Sequence, residues 1–166
     1  MQKFPILICI LVLTSSIPVV IGDYSPQANV VTNERTHLTY STIQAAVTAA
    51  LSGDTLSVGA GTYTEHVSVS KKLNINGASS DTVIVDGAGT GDVFFITGDY
   101  VNITDMTITN DGGDTGIYLQ NADYGFINGN LFQNNNGANG GIYFDASSHN
   151  TLTENNFNDS TVWAEF

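Results

Sequence analysis

Residues 116–144, GIYLQNADYGFINGNLFQNNNGANGGIYF, begin and end on nearly the same four residues. Gly116-Ile117-Tyr118-Leu119 returns 25 residues later as Gly141-Ile142-Tyr143-Phe144. At that offset Ile127 meets Leu152, Asn130 meets Asn155, Phe132 meets Phe157 and Asn134 meets Asp159. A step back of 24 sets Val93-Phe94-Phe95 on Ile117-Tyr118-Leu119, Tyr100 on Tyr124, Ile103 on Ile127, Ile108 on Phe132 and Asn110 on Asn134. Three units of nearly constant length thus share apolar, aromatic and asparagine positions. A unit of this length built from short strands is one turn of a parallel β-solenoid. A single coil cannot bury its inward side chains, whereas stacked coils align them into ladders. Asparagine at a turn tolerates left-handed backbone and can bond to the asparagine of the next coil, so Asn130 and Asn155 are expected as a structural pair. A leucine-rich repeat has similar length but lacks a consensus here, and a β-sandwich would not hold a constant register.

The same period of two runs back toward the N-terminus. Leu56 and Val58, Val67 and Val69, and Leu73 and Ile75 each alternate with polar residues, and Val83-Ile84-Val85 is wholly apolar. Ahead of Gly53 the period becomes helical. Ser41-Thr42-Ile43-Gln44 fits a capping box, Ile43, Val47, Ala50 and Leu51 share one face, and Gly53 supplies a stop. A helix over 41–52 is therefore expected to open a domain spanning 40–166, followed by about four to five coils. Residues 23–39 show no period and read as a linker. Residues 1–22 read as a cleaved secretory signal: Lys3, then the apolar run Phe4–Leu13, then Val20-Ile21-Gly22 at the cleavage spacing. Thr14, Ser15, Ser16 and Pro18 interrupt the apolar run, which argues against a membrane anchor. Cys9, the single cysteine, leaves with that segment, so no disulfide framework is expected.

Four lysines and arginines face 16 aspartates and glutamates, for a net charge of −12. That balance argues against nucleic acid and anionic membrane surfaces, which require basic patches. The expectation is a secreted or cell-surface protein, periplasmic in a two-membrane bacterium, with no membrane span once the signal is removed.

The stretch YSTIQAAVTAALSGDTLSVGAGTYTEHVSVSKKLNINGASSDTVIVDG, Tyr40–Gly87, resembles the N-terminal entry of the pectin-lyase-like right-handed parallel β-helix superfamily. It is especially similar to NosD-type and archaeal surface-protein β-helices. The resemblance implies an all-β, right-handed parallel β-helix with one N-terminal capping helix over the open end of the solenoid. It leaves function open, because that fold carries lyases, esterases, adhesins and surface-layer proteins. No comparable cap follows the last repeat, so a C-terminally incomplete chain is expected, with self-association through the open end.

Within that frame, Gly61-Thr62-Tyr63-Thr64-Glu65 is similar to a pectinesterase motif. The reacting carboxylates of those enzymes come from later segments that have no counterpart here, and Arg35 is the only arginine. Gly61 is therefore read as permitting a turn, Tyr63 as packing and Glu65 as capping or pairing locally, and no catalytic residue is assigned. His37, His66 and His149 raise a NosD-type copper-maturation role, but they are widely separated. The acidic turns holding Asp86 and Asp92, and Asp111 and Asp114, are candidate Ca²⁺ ligands; no other cofactor is expected. Two repeat-related pairs, Tyr100 with Tyr124 and Tyr118 with Tyr143, are candidate sugar-stacking residues if they face outward. The reading is a non-catalytic module that binds a polysaccharide or surface glycan or builds a surface layer. The alternatives are an esterase or lyase whose catalytic coils lie elsewhere, and a periplasmic copper-maturation protein.

Overall fold

The alternation that starts at Gly53 becomes strand in the computed structural model of the chain, which describes residues 29–110, 113–137 and 139–165. The expected signal segment, Cys9, Asp111 and Phe166 lie outside the described residues. In chain order come β1 (Val31–Asn33), β2 (Thr39–Tyr40) and α1 (Ile43–Ala49). Five strand triplets follow: β3 (Thr55–Val58), β4 (Gly61–Thr64), β5 (Val67–Val69); β6 (Asn74–Gly77), β7 (Val83–Asp86), β8 (Phe94–Ile96); β9 (Asn102–Thr104), β10 (Thr107–Thr109), β11 (Thr115–Gln120); β12 (Phe126–Asn128), β13 (Leu131–Gln133), β14 (Gly140–Asp145); and β15 (Thr151–Thr153), β16 (Asn156–Asn158), β17 (Val162–Glu165).

Each triplet contributes one strand to each of three sheets, ordered β15-β12-β9-β6-β3, β16-β13-β10-β7-β4 and β17-β14-β11-β8-β5. Successive coils pair in parallel, so the chain is a parallel β-helix with three faces. Inward positions form ladders. Leu56, Ile75, Ile103, Ile127 and Leu152 align on the first sheet. Tyr63, Val85, Ile108, Phe132 and Phe157 align on the second. Val67, Phe94, Ile117, Ile142 and Val162 align on the third. All but the last member of each ladder are buried, and each such aliphatic or aromatic side chain contributes about 1.5–3 kcal/mol. Among the described residues no helix is long and apolar enough to cross a membrane.

The constant offset of 24 fails at one strand. Phe94, not Val93, pairs with Ile117, and Phe95 pairs with Tyr118. Three residues separate Ile96 from Tyr100, whereas four separate Leu119 from Tyr124. The shorter corner shifts the strand by one, and a one-residue slip turns every side chain to the other face. Phe94 is thus core and Phe95 points outward.

The first coil presents three bare strand edges, and a different device closes each. Residues 31–39, expected within a linker, form with Tyr40 the β1–β2 hairpin, whose β1 runs antiparallel along β3. Asn29 bonds across β4, its N–H donating to the Ala60 carbonyl and its Nδ2 to the Thr62 carbonyl, at 3.0 and 2.9 Å. The Gln44 side chain of α1 accepts from the Ser68 N–H of β5 at 2.7 Å. Backbone groups on each edge that would recruit another chain are thereby engaged internally: the β3 edge by β1, the Ala60 and Thr62 carbonyls by Asn29, and the Ser68 N–H by Gln44.

The helix is shorter than expected. Thr42 rather than Ser41 is its N-cap, accepting from the Ala45 N–H at 3.1 Å, and Gln44 turns away to β5 instead of closing a capping box. Ile43, Ala46 and Val47 are buried, Leu51 is exposed beyond the helix end, and Gly53 serves the next turn with φ at 93°. Glu65 supplies the second cap: its two carboxylate oxygens accept from the Ile43 and Gln44 N–H groups at 2.8 and 2.9 Å. The Tyr63 hydroxyl, nearly buried, donates to the Gly59 carbonyl at 2.9 Å. Gly61 has φ at 150°, and a Cβ there would collide with Asn29. The three structural residues of the pectinesterase-like motif build the joint between helix and first coil.

Asp54 locks the hairpin to that joint. Its carboxylate accepts from Arg35 Nε at 2.6 Å, Asn33 Nδ2 at 2.8 Å and the Leu51 N–H at 2.9 Å. The Arg35 bond, then the Asn33 bond, hold its carboxyl well below the ordinary carboxylate range. A depressed folded-state value adds stability above the unfolded value, and that stability is lost as pH falls through the folded one. The wild-type melting temperature is therefore expected to drop more steeply on acidification than that of Asp54→Asn. Parallel acid limbs for the two proteins would refute the assignment.

Candidate functional site

Outward positions on the third sheet form a column of aromatic rings. Phe95, Tyr118, Tyr143 and Trp163 stand in register on β8, β11, β14 and β17. Alternation on these strands sends Ile117 and Leu119 to the core and Tyr118 to the surface. Phe95 and Tyr118 have ring centroids 5.4 Å apart at 60°, and Tyr118 and Tyr143 are 5.1 Å apart at 49°. The rings are tilted and not stacked face to face; Phe95, Tyr118 and Tyr143 are half-buried. Trp163, 56% exposed, ends the column, its indole N–H donating to Thr161 Oγ1 at 2.9 Å.

Two residues along each strand, Gln120, Asp145 and Glu165 form a parallel polar column. The Tyr118 hydroxyl donates to Asp145 Oδ2 at 2.7 Å, Gln120 Nε2 donates to the same oxygen at 3.0 Å, and the Tyr143 hydroxyl donates to Glu165 Oε2 at 2.7 Å. Bonds from Gln120 and Tyr118 hold the Asp145 carboxyl below its ordinary value. The bond to Glu165 pushes the Tyr143 phenol up to about 12. These bonds fix the ring tilts and leave further carboxylate lone pairs facing solvent.

Tyr100 and Tyr124 also lie on the surface, but their chemistry differs. Both have left-handed backbone, as does His149, and the three rings stack along the corner between the third and first sheets. The Tyr100–Tyr124 centroids are 5.0 Å apart at 9°, the Tyr124–His149 centroids 4.8 Å apart at 17°, and Lys72 Nζ lies 5.5 Å from the centre of the Tyr100 ring. Both faces of Tyr124 are covered, so this pair lacks the open face that a sugar ring requires.

Of the acidic candidates, Asp86 accepts from the Ala88 N–H at 2.8 Å within its own turn, while Asp92 and Asp114 lie on adjacent coils. Asn130 and Asn155 form a corner ladder. Asn130 Nδ2 donates to the Ile103 carbonyl, and Asn155 Oδ1 accepts from the Asn130 N–H at 3.0 Å. Sequence reasoning did not find Phe95, Gln120, Asp145, Trp163 or Glu165. Pairing by outward position, strand by strand, would have found all five. A fixed offset could not, because Trp163 sits on a shorter last coil.

Residues 25–165 match the family model described as periplasmic copper-binding protein (NosD). No curated protein matches the chain. The family's copper, which sits uneasily with an expectation of no cofactor, finds no fitting donor set among the described residues. No three His, Cys, Asp or Glu side chains converge there. His66 engages both ring nitrogens, with the Asp92 carbonyl and Thr90 Oγ1; Met106 is buried in the core; and Cys9 lies outside the described residues. The β-helix fold and a match over nearly its whole length place the chain in the NosD family of right-handed β-helix proteins.

Proposed function

We propose that the chain is a non-catalytic, exported β-helix module that holds a neutral glycan along the outer face of the third sheet. The observation that carries this reading is the aromatic column Phe95, Tyr118, Tyr143 and Trp163 beside the polar column Gln120, Asp145 and Glu165. Aromatic faces take the apolar faces of sugar rings, and carboxylates and amides accept or share their hydroxyl hydrogens. The cations among the described residues are engaged elsewhere. Arg35 binds Asp54, Lys71 donates to the Val47 and Ala50 carbonyls, and Lys72 lies over Tyr100. An acidic polysaccharide would meet carboxylates on this face with no counter-charge, so neutral sugars are favoured. The family's description as periplasmic agrees with export; an adhesive or surface-layer role would use the same face.

Trp163, the only tryptophan, reports on the column. Titration with neutral oligosaccharides is expected to shift its emission to the blue. Tyr143→Ala is expected to weaken binding about tenfold, while Tyr124→Ala leaves it unchanged. Neutral glycans that leave both the emission and a glycan array silent would sink the proposal. Methanol or unsaturated uronides released from pectin or pectate would put the chain among the enzymes instead.

A further inference from the structure

We propose that the glycan held on the third sheet is an extended, β-linked neutral hexose chain that runs along the solenoid axis with one sugar per coil. It rests on the neutral-glycan reading and adds the linkage and the direction of the chain. The observation that carries it is a repeat on the outer surface. Tyr118 and Gln120 on β11, Tyr143 and Asp145 on β14, and Trp163 and Glu165 on β17 set one aromatic ring and one polar side chain on each coil, in register. Phe95 on β8 stands in register with Tyr118, and the exposed Thr97 follows it at the place of Gln120. The polar column keeps one free acceptor per coil. The Tyr118 and Gln120 bonds both fall on Asp145 Oδ2, and the Tyr143 bond falls on Glu165 Oε2. Among the described residues, Gln120 Oε1, Asp145 Oδ1 and Glu165 Oε1 accept no hydrogen bond from the protein. These oxygens are open to sugar hydroxyls.

Spacing selects the linkage. Neighbouring strands lie about 4.8 Å apart, and the ring centroids of Phe95, Tyr118 and Tyr143 follow one another at 5.4 and 5.1 Å. In a β-linked chain such as a cello-oligosaccharide, equatorial bonds leave both ends of each ring. Such a chain is straight and advances by close to this length per sugar. In an α-linked chain such as a malto-oligosaccharide, the axial anomeric bond bends the chain, and successive sugars leave the column. The column follows the axis because strand pairing holds the coils in register. A chain laid along one strand instead would meet a single ring. No coil is unique on this face, so a lone sugar gains little, whereas a chain engages several coils at high effective concentration.

Calorimetric titration of the whole protein with cello-oligosaccharides, from the disaccharide to the hexasaccharide, tests the register, with malto-oligosaccharides of equal length beside them. Affinity in the cello series is expected to rise by about two- to tenfold with each added sugar up to the tetrasaccharide, and to level off there. The malto series is expected to show no such rise. Phe95→Ala removes the ring at the N-terminal end of the column. Its affinity should level off at the trisaccharide, while the disaccharide binds nearly as before. If that variant fails to fold, Trp163→Ala, at the exposed other end, should shorten the rise in the same way. Equal gains in both series, or no dependence on length in the cello series, would overturn the inference and leave the glycan reading standing. A plateau unmoved by either variant would place the sugars elsewhere on the surface and overturn it too. Silence towards every neutral oligosaccharide would sink the glycan reading itself, and this inference with it.

Discussion

Phe132→Ala is expected to lower the unfolding free energy by about 3–5 kcal/mol, the cost of truncating a fully buried aromatic residue. At this chain length that is a fall in melting temperature of about 6–20 °C. The ring lies between Ile108 and Phe157 on the second sheet, parallel to Phe157 with centroids 4.8 Å apart. The loss should fall at the upper end of the range, because the site cannot collapse. Backbone bonds hold the coils on either side at fixed spacing, so a cavity remains. Phe157→Ala, in the half-buried last coil, should lose clearly less. Calorimetry or urea unfolding will check both. Equal losses for the two would mean that the ladder is not graded by burial.

Asn130→Ala is expected to be nearly as damaging although it removes only an amide. Asn130 Oδ1 accepts from the Met106 N–H at 3.2 Å, and its Nδ2 donates to the Ile103 carbonyl at 2.9 Å. Truncation strands two buried backbone groups, at about 1–3 kcal/mol each, or about 2–6 kcal/mol together. Asn130→Asp keeps the shape and the acceptor but loses the donor to Ile103, and should recover only part of the loss. Full recovery by aspartate would show that the Ile103 bond is unimportant. Asn155→Ala, which opens the Asn130 N–H and the Ile127 carbonyl in a more accessible coil, should rank below both.

The sequence displayed these ladders because each rests on a rule of short range. Alternation marks the inward face of every strand, and the recurring asparagines mark a corner. What it concealed depends on contacts between distant residues or on changes of spacing. The β1–β2 hairpin has strands of three and two residues, too short to show a period, and it holds through pairing with β3. The second cap of α1 comes from Glu65, more than twenty residues away, while a local capping box pointed to Ser41. Half of the aromatic column was visible as Tyr118 and Tyr143. Phe95 was hidden by a corner one residue short, and Trp163 by a coil shorter than the unit. A change of length at a corner leaves the stacking intact but defeats any fixed offset. The Tyr100–Tyr124 pair shows the converse: the repeat located both rings, but only geometry revealed that they cover one another.

The closure of the first coil on three sides gives the molecule a growth direction. A duplicated unit cut at matching positions of successive coils, such as residues 116–140, would bring its own ladders and could be spliced between existing coils without disturbing the joint at β3, β4 and β5. A copy placed ahead of that joint would displace the hairpin, Asn29 and Gln44, and would expose three strand edges at once. Lengthening by tandem duplication, in evolution or in design, is therefore permitted downstream of the joint and barred upstream of it, and every added unit would extend the aromatic column on the third sheet by one ring.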